Sequence, residues 1–182
     1  MSKKLFLSIL TCFLTVCSTP LYGASKASIH LAWDYKQVPA TMKIYELNPQ
    51  KAVKLWDTGN ASQLNQTPIT TEIPNSTLSI TPGEAKMFVL VLKNDTKQTL
   101  HFFAAPHSVN PPELSLGFKF KCLCIDHVYE VPAGQYWYRV VELRTAPNYE
   151  GNNVTITHNL IQVDPKRNPI PYQKQDHSHA ME

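Results

Sequence analysis

No stretch of this 182-residue chain stays apolar for long enough to span a bilayer. The longest apolar run, Leu5 to Cys17, is about 13 residues, against the roughly 20 that a spanning helix needs. Lys3 and Lys4 precede it, and Pro20 and the small residues Gly23, Ala24 and Ser25 follow. Residues 1–24 therefore read as a secretory signal peptide cut near Gly23–Ala27, with an uncleaved anchor as the alternative. A lipoprotein site at Cys17 is disfavoured, because Val16 stands where a small residue is wanted.

Other absences exclude whole classes of function. There is no Gly-x-Ser-x-Gly, no phosphate loop and no His-Glu-x-x-His, so no enzyme is expected. There is no basic patch. The formal charge of +3 falls to 15 basic against 14 acidic residues once Lys3 and Lys4 leave, and nucleic acid is not an expected partner. Amphipathic helices of useful length and internal repeats are also missing. Cysteine is scarce: of four, Cys12 and Cys17 depart with the signal. The mature chain would carry only Cys122 and Cys124, in the oxidising setting of a periplasm or cell envelope. No Cys-x-x-Cys on a helix is present, as a thiol–disulfide enzyme would normally show.

What remains is β-pattern. Ser28–Tyr35 alternates through Ile29, Leu31 and Trp33. Thr41–Leu47 and Lys51–Trp56 flank Asn48-Pro49-Gln50 and predict a hairpin. Thr58–Pro74 is polar and predicts a loop. Ser76–Thr81 is a short strand, and Lys86–Lys93 is apolar on both faces, as a central covered strand would be. Thr99–Ala104, Gln135–Arg144 and Asn153–Val163 complete the set, with a loop over Pro106–Leu116. Residues 25–165 are thus expected to form one all-β domain, an immunoglobulin-like β-sandwich. Residues 166–182, with His177, His179 and Met181, are expected to be a disordered polar tail.

The chain is organised around Phe118–His127, which reads as a strand carrying two thiols one residue apart. Residues i and i+2 of a strand share a face, about 6.6–6.8 Å apart at Cα. A disulfide prefers about 5.5–6 Å, so an internal bridge would be strained and would close almost no loop. The pair suits a soft ion better, and soft sulfur ligands select Cu(I). Apolar character switches parity between Phe120 and Leu123, which predicts a β-bulge that turns both cysteines outward. Two small buried hydrophobes are the plain alternative. A structural zinc site needs four ligands, and no second cysteine pair is available.

Three segments resemble one family. Ile80-Thr81-Pro82-Gly83-Glu84 leads into a strand and Asn94-Asp95-Thr96. Phe118-Lys119-Phe120-Lys121-Cys122-Leu123-Cys124 and the turn Pro132-Ala133-Gly134 follow in the same order. Over roughly residues 78–163 this is similar to the CtaG-type cytochrome c oxidase assembly factors, with Leu123 and Ile125 in place of two phenylalanines. The resemblance implies a Cu(I) chaperone with Cys122 and Cys124 as ligands, delivering copper to the CuB site of a haem–copper oxidase subunit or another acceptor. It also implies a copper-linked homodimer, and the compartment adds a reducing thiol partner.

Histidines widen the field. Cys124-Ile125-Asp126-His127 fits the spacing near blue-copper sites, with His101 or His107 as the upstream ligand, so His127, His101 and His107 are auxiliary metal candidates. A cupredoxin-like electron carrier is the alternative function, and a copper-independent structural or interaction domain is the other. His158, in phase with Val154 and Ile156, is expected to be a satisfied, partly buried histidine.

Overall fold

The computed structural model describes residues 25–124 and 127–167. The expected signal (1–24), Ile125, Asp126 and the tail histidines His177 and His179 lie outside the described residues. Among the described residues, twelve strands form two sheets. The first sheet contains β10 (Val128–Val131), β7 (Leu100–Ala104), β12 (Val154–Gln162), β1 (Ala27–Lys36) and β5 (Thr77–Ile80), in that order, with β8 (Ser108–Asn110) also on β12. The second contains β3 (Thr58–Ala61), β11 (Tyr136–Thr145), β6 (Ala85–Asn94), β2 (Ala40–Leu47) and β4 (Ile69–Glu72), with β9 (Phe118–Lys121) also on β11. β1 and β12 pair in parallel, and every other pairing is antiparallel. The all-β sandwich expected from the spacing of the strands is the fold observed. The helical turns among the described residues are short 3-10 segments.

The core follows from period-two alternation. Ile29 and Leu31 of β1, Phe102 of β7, Trp137, Val141 and Leu143 of β11, and Val154, Ile156 and Leu160 of β12 meet between the sheets. Residues 88–92 of β6 are buried on both faces. Phe88, Leu90 and Leu92 enter this core, while Val89 and Val91 join Tyr45 and Val140 in a second cluster on the outer face.

That outer cluster explains a correction. Lys51–Trp56 forms no strand. β2 already has β6 on one side and β4 on the other, leaving no free edge for a hairpin partner. The chain instead swings over the sheet, and Val53 and Leu64 cover the second cluster. The polar stretch 58–74 contains β3 and β4, two short strands whose polarity reflects exposure rather than a loop.

The second correction concerns the cysteines. Phe118–His127 is not one bulged strand. β9 ends at Lys121 in one sheet and β10 begins at Val128 in the other. The parity switch in the sequence marks a crossover between sheets. Leu123, fully buried, pins it to the core, a contribution of about 2 kcal/mol.

Candidate metal centre

Four side chains from three segments converge at this crossover: His107, Cys122, Cys124 and His158 offer ligand atoms that all lie within 4.8 Å of one another. Each is placed by a local feature of the chain.

His158 sits on β12 in the row Val154, Ile156, His158, Leu160, so alternation points it inward. Its register partner on β1 is Trp33, and the two rings stack with centroids 5.2 Å apart. Phe120 of β9 meets the same imidazole edge-on. His107 lies where the ladder on β12 is interrupted. β7 pairs from Ala104 with Leu160, and β8 resumes at Ser108 with Thr157. Pro106, without an N–H, sits in the gap, anchored by Ala105 N donating to Asn159 O at 3.0 Å. The two imidazoles are 5.2 Å apart.

The cysteines follow β9, whose last residue Lys121 pairs with Glu142 in both register and charge, 3.2 Å Nζ to Oε1. The sulfurs are 3.1 Å apart, and neither is in a disulfide. His107 Nδ1 lies 3.6 Å from Cys122 Sγ and 3.5 Å from Cys124 Sγ. Around a tetrahedral ion with sulfur at about 2.3 Å and nitrogen at about 2.0–2.1 Å, ligand atoms stand roughly 3.3–3.8 Å apart. The His107–sulfur distances already fall in that range; the sulfurs would have to part by about half an ångström and the widest-spaced ligand atoms, up to 4.8 Å apart, to close by about an ångström. The set does not fit a linear two-sulfur site, which would hold the sulfurs roughly 4.5 Å apart.

Burial corrects the expected orientation. Cys122 is 4% exposed, and the cysteines face inward because the segment spans the gap between sheets instead of riding on one. Cys124 and His107 are partly exposed while Cys122 and His158 are buried, so the group reaches solvent through Cys124 and His107.

The two thiols share a proton. The hydrogen bond from Cys124 draws the Cys122 thiol down to about 2, against the upward push of burial and with help from His107 and His158. Cys124 is pushed up, first by that same bond and then by burial. One thiolate is therefore in place before any ion arrives, and the second forms when an ion displaces the shared proton.

His158 is the residue that sequence reasoning missed. It is wholly buried, and neither ring nitrogen has a hydrogen-bond partner, so it is not the satisfied histidine expected. It reaches near enough to Cys122 to help draw down its proton, though outside the distance and angle of a regular hydrogen bond. An unpaired buried polar atom costs about 1–3 kcal/mol, so a metal–nitrogen bond would remove a standing penalty. The only signal in the sequence was a polar residue in phase with Val154 and Ile156.

Cys122, Cys124 and His107 of the expected candidates are brought together. His101 is elsewhere, on β7, with Nε2 3.5 Å from Glu130 across the β10 ladder. His127 is exposed and sets its ring against Tyr129, outside the converging group. No curated protein and no solved structure matches this chain. A family model does match, over residues 27–163, a span that begins with the first residue of β1 and ends just beyond β12. The chain therefore belongs to the family described as a domain of unknown function, DUF8709.

Proposed function

We propose that the protein is an exported copper-binding protein. It holds one Cu(I) on Cys122 and Cys124, with His107 and His158 as further ligands, and passes the ion to an acceptor. The observation that carries this reading is the pairing of two adjacent thiols with a buried histidine whose nitrogens lack partners. Two soft sulfurs favour Cu(I) among the ions that accept imidazole as well.

Release would proceed through the open side. Acceptor ligands would add next to Cys124 and His107, which are partly exposed, before Cys122 and His158 let go. By its resemblance to oxidase assembly factors, the acceptor we propose is a haem–copper oxidase subunit, reached in the periplasm or cell envelope. One chain supplies four ligands, so the site needs no second copy to be complete.

A second reading has its own observation. Two imidazoles and a thiolate meeting between two sheets is also the ligand set of a blue-copper electron carrier. Anaerobic purification followed by metal analysis separates the readings. The expected product is colourless, with one Cu(I) per chain. Intense blue Cu(II) would favour electron transfer, and no uptake would leave a structural domain. Cys122→Ser or Cys124→Ser should abolish stoichiometric uptake while the fold survives. Unfolding of both variants would instead favour cysteines that serve only the core.

A further inference from the structure

A histidine that ligates a metal normally gives its second ring nitrogen to a carboxylate, a carbonyl or water, and that bond fixes the ring. His158 has no such support. It is wholly buried, and among the described residues neither of its nitrogens makes a regular hydrogen bond. Its surroundings are aromatic instead. Trp33 stacks on it with centroids 5.2 Å apart and planes 30° apart. Phe120 meets it at 5.4 Å and 88°. His107, the other imidazole of the group, lies at 5.2 Å.

The ladder of the first sheet builds this stack. Trp33 is the register partner of His158 where β1 and β12 run in parallel. On the same face it is flanked by Leu31 opposite Ile156 and by Tyr35 opposite Leu160. Adjacent strands lie about 4.7–4.9 Å apart, so rings on one face of neighbouring strands are held near stacking distance. This stretch of β1 is anchored on both sides of the indole. Leu31 is buried in the core, and Tyr35 Oη accepts a hydrogen bond from Met42 N of the opposite sheet at 2.8 Å. Trp33 Nε1 is itself buried without a partner, so ring contact is what holds the indole and the imidazole together.

Resting on the reading that this group binds metal, we propose that Trp33 is the positioning residue of the site. Its indole, with Phe120 set across the ring, holds the plane of His158 so that a nitrogen stays within reach of the sulfurs and His107. Ring packing does here what a hydrogen bond to the second nitrogen does in other metal-bound histidines. A ring fixed in advance need not be ordered when the ion arrives, which strengthens binding. With no acceptor on the second nitrogen, the imidazole gains no basicity, which suits a ligand that must later let go.

The test measures Cu(I) affinity of the full chain under reducing conditions, by competition with a chromophoric chelator. Trp33→Leu should weaken binding by about tenfold to a hundredfold, the range for losing the support of a ligating histidine. Trp33→Phe, which keeps an aromatic face, should recover most of that loss. The effect must also run through His158. In a His158→Ala background, which leaves three ligands, Trp33→Leu should weaken binding by less than about twofold. Circular dichroism checks that each variant keeps its sandwich, and Trp33→Met replaces a leucine variant that does not fold. Unchanged affinity in a folded Trp33→Leu or Trp33→Met overturns the role of Trp33 and leaves the metal site standing. An equal loss in both backgrounds overturns it too, because the indole would then serve only the core. Wild-type protein that takes up no Cu(I) overturns both readings.

Discussion

Cys122 and Cys124 keep one proton between them, and this gives the metal-free protein a distinctive pH dependence. Below the ordinary thiol value of 9.0 the unfolded chain carries two protons on the pair and the folded chain one. Unfolding then takes up a proton, so stability rises with pH up to the ordinary thiol range. Above that range the unfolded chain has lost both protons while the raised Cys124 keeps its own, and stability falls. Urea unfolding of reduced protein between about pH 5 and about pH 10 should show this rise and fall in the difference between wild type and Cys122→Ala/Cys124→Ala. A flat difference would mean that the thiols do not share a proton. Nothing in the spelling of Cys-x-Cys announces that shared proton. It follows from a sulfur–sulfur distance of 3.1 Å, which only the crossover creates.

Among the elements, β9 decides where the sulfurs lie, and its start is set by ring packing. Tyr149 fills the space between Gly117 and Gly151, and a Cβ on either glycine would overlap its ring. Phe118 meets that ring edge-on, and Ala146 N donates to Gly117 O at 2.8 Å. Gly117→Ala must push Tyr149 or the head of β9 aside, at about 1–3 kcal/mol. The displacement passes down four residues to the cysteines. We expect a lower urea midpoint and weaker Cu(I) binding together. Gly134→Ala is the comparison: at φ +71° it has no atom near its Cβ, so only backbone strain of about 1 kcal/mol applies and metal affinity should hold. The strands themselves were largely legible. β1, β6, β11 and β12 match the expected segments because their alternation or double-sided apolarity is unmistakable. β3, β4 and β8 escaped because edge strands of three or four exposed residues look polar.

At the scale of the molecule the site joins segments far apart in the chain. His158 belongs to the first sheet, His107 to the link between two of its strands, and the cysteines to the segment that leaves the second. An ion held by all four ties the sheets together at this end. It should therefore stabilise the whole domain by about 2.7 kcal/mol at a hundredfold excess over Kd. For a domain of this size that corresponds to roughly ten degrees in Tm. Calorimetry of the reduced protein with and without one equivalent of Cu(I) checks this, and the shift should vanish in Cys122→Ser. A Tm unmoved by bound copper would mean that the ion sits on the cysteines alone.

Local pattern by itself determined the all-β sandwich, the covered central strand and the two thiols as the centre of interest. Alternation, turn residues and the scarcity of cysteine are all short-range information. Tertiary structure alone decided the ligand set and its burial. His107 and His158 are 51 positions apart in the chain and meet only because β12 carries an interrupted ladder on one side. Which faces oppose one another across a sandwich depends on how the sheets close, and one segment carries no record of its partner.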